Sequence, residues 1–396
     1  MKCISFLSAA FLSTFFLGNG LVANVQDKIV ESEFLSASYS SQQTIEQTPT
    51  RPMQNGEHPN GPPVPTNRDI VDHSAQGCLS QGFSIQGEFI WWRAILDNLE
   101  YGLKDSAVIT DPNNFPNDRA HNFTVKEPSF EFDPGFKVAA GYDFGRDNWD
   151  LFLRWTWLHS NPSDSVNAGD NNLILLETRV EPIAVSQNFG GIALSPNGKV
   201  RWDIHFNVLD FEMGYDYFFS KRFSVRPFMG LKTAWIDMDY RVDYIAATVL
   251  EGGANDIRDL KGKGDSDYWG VGPCFGIDSY LHIGWGFSIY GLLSGAALYG
   301  EFDAKYDQIN IENPPNTIEV DLKFKHDNFY RLRNMVQMAL GVEWAYCFSK
   351  EYLLALHIGW ETQYWWNQLE MPFFGYFQPE GDLTFSGLDV GVRFDF

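Results

Sequence analysis

Past residue 23 the chain has no apolar run approaching the roughly 18 residues that a transmembrane helix requires. A helical inner-membrane protein is thereby excluded. Basic residues are also short, since 29 Lys and Arg stand against 51 Asp and Glu, leaving a net charge of −22. Nucleic acids are held by Lys and Arg, so that class of partner is excluded as well. Cysteine is scarce: apart from Cys3 there are only Cys78, Cys274 and Cys347. With no C-x-x-C and no His/Cys cluster at zinc spacing, neither a disulfide framework nor a metal or other cofactor is expected. There is no G-x-S-x-G nucleophile motif either.

What the chain does have is aromatic side chains, with 33 Phe, 17 Tyr and 13 Trp, together with 35 Gly. A soluble core rarely needs so many Trp and Tyr, whereas amphipathic aromatics collect where a protein meets a membrane interface. The first 23 residues read as a secretory signal peptide. Lys2 supplies the positive start, Ile4 to Leu17 the apolar stretch, and Leu21-Val22-Ala23 a small-residue cleavage site. Cys3 precedes the apolar stretch and so cannot serve as a lipoprotein cysteine. Residues 24–81 are rich in Ser, Gln, Thr, Asn and Pro, with "PNGPPVP" near their end. Such a composition buries too little apolar surface to order itself, and a flexible periplasmic leader is expected.

From residue 82 a different pattern sets in. "GFSIQGEFIWW" sets Phe83, Ile85, Phe89 and Trp91 against Ser84, Gln86 and Glu88; "WDLFLRWTW" places Trp149, Leu151, Leu153, Trp155 and Trp157 on one face. Side chains alternate along a strand, so these are strands with one apolar and one polar face. Further segments lie at 134–144, 201–218, 223–239, 268–282, 287–301, 331–348, 351–366 and 382–396, giving about ten strands, with a range of 10–16. In 201–218 the apolar parity slips at Val208/Leu209, which suggests a bulge. In 287–301 both faces are apolar, so its orientation is open. Tight turns at 145–148, 219–222, 282–286 and 348–351 alternate with long polar connections at 93–133, 160–200, 240–267, 302–330 and 367–381. Short turns on one side and long loops on the other are the arrangement of an outer-membrane β-barrel, here spanning 82–396. Alternation inside the loops, as in "TIEVDLKFKH", suggests strands that rise beyond the bilayer as hairpins, or a higher strand number. A soluble sandwich or propeller would bury one strand face against a second sheet. The loop asymmetry and the Trp/Tyr pairs near strand ends, "WW" at 91–92 and "YWW" at 364–366, favour the barrel.

The last strand, "SGLDVGVRFDF", carries Leu388, Val390, Val392, Phe394 and Phe396 at alternate positions. Val392, Phe394 and Phe396 match the terminal signal read by the barrel assembly machinery of Gram-negative bacteria, so that machinery, periplasmic chaperones and outer-membrane lipids are the expected partners. Gly82, Gly87-Glu88, Trp91-Trp92, Asp97, Leu99 and Tyr101, with Gly141-Tyr142-Asp143-Phe144 and "FEMGYDYFFSKRFSVRPFMGLK" at 211–232, resemble the Legionella-type pore-forming outer membrane proteins. They also resemble the major-outer-membrane-protein-like porins of Chlamydia-related bacteria. The resemblance implies a cell-surface porin passing small solutes or ions, and leaves the solute open.

With the aromatic faces toward lipid, the opposite faces would line a lumen. The candidates are Glu88, Lys137, Asp143, Arg154, Asp210, Glu212, Asp216, Arg226, Lys232, Glu343, Glu361 and Arg393, with Asp150, His357 and Asp389 on the same parity. Acids outnumber bases in this set, and carboxylates lower the energy of a cation in a narrow pore, so a weak cation preference follows. The same groups could instead pair with one another and fill a narrow barrel, which would make a closed structural or adhesive surface protein. No catalytic residue is assigned. An outer-membrane hydrolase would draw on Asp203 with His205, on His121, or on His326 with Asp327. The strand frame puts Cys78 and Cys347 at the periplasmic side, where they could bridge within or between molecules, and Cys274 in mid-strand, out of reach of Cys347. A homo-oligomer stays open.

Overall fold

The computed structural model describes residues 82–105, 122–145, 148–167, 173–175, 192–251, 254–312, 318–348, 352–372 and 380–396. The expected signal peptide and leader, Cys78 and His121 lie outside them. Ten long strands follow in order: β1 (Gly82–Leu96), β2 (Phe132–Asp143), β3 (Trp149–Ser160), β4 (Asn197–Tyr215), β5 (Phe223–Glu251), β6 (Ala254–Gly284), β7 (Phe287–Glu312), β8 (Ile318–Phe348), β9 (Tyr352–Trp365) and β10 (Leu383–Asp395). Each pairs antiparallel with the next, and β10 pairs with β1 from Asp395↔Ser84 to Leu383↔Leu96, which closes the sheet into a barrel. Closure leaves no unpaired strand edge in lipid. Short strands at Gly102–Asp105, Phe123–Lys126, Leu173–Leu175 and Ile192–Ser195 extend a small sheet from the far end of β5.

The alternation has two regimes, and a single level around the barrel separates them. On β5 the outward residues Phe223, Val225, Met229, Leu231 and Trp235 are apolar, and then Asp237, Asp239, Arg241 and Asp243 face out. The inward face inverts at the same height. Ser224, Arg226 and Lys232 give way to Ala234, Ile236, Met238, Tyr240 and Val242, all buried. From Phe223 to Trp235 the rise is about 31 Å at ~3.4 Å per residue and a tilt of roughly 40°, which matches the hydrocarbon core of a bilayer. Below the level the wall faces lipid and the interior is polar. Above it the barrel is built like a soluble one, with polar residues outside and an apolar core inside.

This inversion accounts for two departures from the sequence expectations. There is no bulge at Val208/Leu209, because β4 keeps continuous register with both β3 and β5. Its inward parity runs unbroken through Val200, Trp202, Ile204, Phe206 and Val208 to Asp210 and Glu212, and the apparent slip marks where the wall leaves the membrane. The stretches 240–267 and 302–330 are strand rather than loop for most of their length. They look polar because Lys261, Lys263, Asp265 and Asp267 face water while Gly262, Gly264 and Ser266 face in. A bulge does occur elsewhere, on β8 against β7, where the register passes from Phe302↔Phe329 to Ala304↔His326 and Asn328 takes φ 51°. On β7, whose orientation was open, Phe287, Ile289, Leu293 and Tyr299 face lipid and Ser288, Tyr290, Leu292, Ser294, Ala296 and Leu298 face in. The tight turn Gly284-Trp285-Gly286 holds all three residues at positive φ (121°, 57° and 85°) and leaves Trp285 93% exposed at the short-turn end.

Candidate functional site: the barrel interior

The interior has a charged lower half and a mainly apolar upper half, with Arg258, Gln308, Asn310 and Arg333 also buried in it. In the lower half, β1 and β2 bring Glu88 and Lys137 into register. The Lys137 ammonium, 5% exposed, lies 2.6 Å from Glu361 on β9, 3.2 Å from Glu88 and 3.4 Å from Asp389 on β10. Since β9 stands three strands from β2 around the ring, Lys137 bridges a chord of the lumen. Glu361 also accepts hydrogen bonds from Gln337 and Gln363 at 2.8 and 2.9 Å, and Asp389 accepts one from the Trp92 indole at 3.1 Å. His357 stands 3.9 Å from Glu88.

A second cluster forms on the adjacent arc. Arg226 on β5 takes Asp150 of β3 in a two-pronged grip, with Nε donating at 2.8 Å, and reaches Asp278 of β6 at 2.9 Å. Glu212 lies 3.7 Å from Arg226 and 3.4 Å from Arg154, and Lys232 pairs with Asp210 at 2.6 Å. Gly214 leaves room for this, since a Cβ there would run into the Arg226 guanidinium. Arg393 pairs with Asp395 at 3.2 Å. Asp143, Asp216 and Glu343 line the cavity of about 350 Å³ that these groups enclose, and it reaches Gly286 and Asp395 beside the short turns. All twelve side chains expected inside therefore face the interior, most of them in ion pairs. Asp278 and Asp395 belong with them and were missed. Asp278 shares its parity with Gly270, Gly272 and Gly276, a face with no polar rhythm to betray it.

The upper half is packed shut. Phe206 of β4 meets Phe385 of β10, four strands away around the ring, with ring centroids 4.2 Å apart, and meets Trp365 of β9 at 5.7 Å. All three are fully buried, as are Trp92, Trp202, Ile236, Tyr240 and Phe302. Two of the Trp expected at the membrane interface, Trp92 and Trp365, are thus core residues, while their neighbours Trp91 and Trp366 sit outside them on the opposite parity. The segment after β9 turns inward: Leu369 and Met371 are buried, and Glu370 pairs with the inward Arg333. Met371 Sδ lies 3.0 Å from where a Cβ on Gly264 of β6 would stand.

The remaining candidates separate. His205 and Asp203 sit on the outer wall of β4, on the opposite face from the lumen. His326 stacks on Phe329 at 3.8 Å and Asp327 pairs with Lys325, so those two neighbours turn to different partners. Val392, Phe394 and Phe396 lie on the lipid face of the closing strand, and the Phe396 backbone exchanges two 2.8 Å hydrogen bonds with Phe83. Cys274 is free and buried, and Cys347 is disulfide-bonded.

A family described as Legionella pneumophila major outer membrane protein precursor matches residues 75–396. No curated protein matches the chain. Among solved structures, the outer membrane protease OmpT of Escherichia coli is similar at 11% identity and a TM-score of 0.34, covering 80% of this chain and 99% of its own. The toluene transporter TodX of Pseudomonas putida follows at 8% identity and 0.31, covering 83% and 94%. At these scores neither similarity bears on activity.

Proposed function

The chain belongs to the Legionella major outer membrane protein family and resides in the outer membrane, and on that premise we propose that it is a structural surface barrel whose lumen is closed to passive diffusion. One observation carries this reading: the Phe206–Phe385–Trp365 contact joins opposite walls inside a fully buried apolar core. Interiors of this kind approach close packing, and a hydrated ion has no favourable path through them. The ion pairs beneath act as struts across the lower half, and the polar outer wall above the membrane presents the barrel to the medium.

A second reading, porin-like passage of small solutes or ions with a weak preference for cations, draws on the lower cavity and its excess of carboxylates over Lys and Arg. It needs the upper core to part. Neither reading gives the chain an enzymatic role. Conductance of purified protein in planar bilayers separates the two. Insertion without current steps supports the closed barrel. Steady ohmic steps with a cation-biased reversal potential in a KCl gradient would replace it with the porin.

A further inference from the structure

Just above the lipid-facing wall, on the outside of the barrel, β3 and β4 bring two imidazoles and a carboxylate together. His159 and His205 are directly opposed in the ladder, and their rings stack with centroids 4.1 Å apart and planes 6° from parallel. Asp203, two residues along β4 on the same face, has a carboxylate oxygen 3.2 Å from His159 Nε2 and 3.4 Å from His205 Nε2. One donor atom from each of the three can be chosen so that all lie within 4.8 Å of one another. The side chains are 34%, 48% and 28% exposed, so the medium reaches them.

We propose that His159, Asp203 and His205 form a surface site for a divalent transition-metal ion of the Zn(II) class. Zinc takes imidazole nitrogen and carboxylate oxygen at roughly 2.0–2.2 Å in tetrahedral array, which sets its ligands about 3.3 Å apart. The two nitrogen–oxygen separations already have that spacing, and a small turn of the two parallel rings about χ2 brings both nitrogen lone pairs onto one ion. Two imidazoles with one carboxylate suit a borderline ion and not Mg²⁺ or Ca²⁺, which prefer all-oxygen shells. The surroundings favour a cation further. Asp237 is the ladder partner of His205 and Asp239 that of Asp203, so the strip beside the site is acidic. Three protein donors leave one position open, facing outward from the wall at the level where the outward residues turn polar. The bound ion ties β3 to β4 at the top of the lipid-facing wall. Sequence inspection pairs only Asp203 with His205, because His159 stands 44 residues from Asp203.

The test uses the full chain, purified in detergent, stripped with chelator and titrated with Zn²⁺ alone, then with Co²⁺ as a spectroscopic reporter. One ion per chain is expected, with a tetrahedral Co²⁺ absorption band. H159A/H205A should weaken binding by more than the roughly tenfold to hundredfold that loss of an outer-shell partner costs. D203N should weaken it as well, and both variants should keep the heat-modifiable migration of a folded barrel. Because the ion binds the native state, Zn²⁺ should raise the unfolding temperature of the wild type and not of the double variant. Absence of saturable binding, affinity unchanged in H159A/H205A, or equal affinity for Mg²⁺ or Ca²⁺ would each overturn the assignment.

Discussion

Lys137 shows what a single side chain does here. Its ammonium is surrounded by Glu88, Glu361 and Asp389 and is almost wholly out of water. Burying a charge is costly unless it is paired, and removing one partner leaves the others uncompensated. Lys137→Met should therefore cost about 3–5 kcal/mol, read as a lower urea midpoint in a detergent or lipid system. Adding Glu361→Gln and Asp389→Asn should recover much of that loss, because the acids would then no longer be stranded. If the single variant matches wild type, the cluster contributes no stability. Outside the membrane, Asp239 faces Asp265 directly across the β5–β6 ladder. The hydrogen bond to Asp265 together with partial burial pushes the Asp239 carboxyl up to about 6. A raised folded value means stability present at low pH and lost as pH climbs from the unfolded value near 3.8 through about 6. Asp239→Asn should accordingly raise the unfolding temperature at pH 7.5 and leave it nearly unchanged at pH 4. An equal shift at both pH values would mean the pair is not the cause.

At the scale of the element, the closing strand and the β8 bulge carry separate consequences. Phe396 seals the seam through its paired backbone bonds to Phe83, and its ring lies 6.3 Å from that of Phe83. Phe394→Ser with Phe396→Ser should leave protein in the periplasm or degraded, and normal heat-modifiable protein in the outer membrane would refute the assembly role. The extra residue at Asn328 restores the inward parity of Phe324 and Leu322 above the membrane. Deleting Asn328 would leave Asp327 alone opposite Asp303, a regular ladder in which those side chains keep facing in. Protease cleavage of β7–β8 on whole cells should then stay as low as in the wild type, and a rise would show that the bulge itself is needed to fold the upper hairpin.

The lower halves of the strands were legible because lipid outside and charge inside make a strict two-residue rhythm, as in Phe83-Ser84-Ile85-Gln86. The upper halves were not. Water outside and a core of Gly, Ala, Ser and aromatics inside invert the rhythm, so Lys261–Asp267 passes for a loop and Val208/Leu209 for a bulge. The charged interior was readable as a set, but its pairing was not. Lys137 and Glu361 meet only because closure carries β9 around to within three strands of β2.

For the whole molecule, the proposed closed state places the barrier to conduction in the packed upper core. Phe206 and Trp365 fill the space between opposite walls above the ion-pair layer, and each is fully buried. Truncating such side chains costs about 3–5 kcal/mol each and leaves a void, since the surroundings relax only partly. Beneath that void lie the polar cavity and its carboxylates, so water entering from above would meet hydrated groups rather than more hydrocarbon. Phe206→Ala with Trp365→Ala should therefore turn a silent barrel into one with measurable current steps. The current should prefer cations weakly, because Lys137, Arg154, Arg226 and Arg393 offset much of the acidic field. The Debye length of about 8 Å at physiological salt lets wall charges act on a passing ion, so the preference should shrink as KCl rises. Heat-modifiable migration of the double variant confirms that a folded barrel is being measured. Silence from that folded variant would show that the ion-pair layer is itself a barrier, and the closed state would then rest on Lys137 and Arg226 rather than on Phe206 and Trp365.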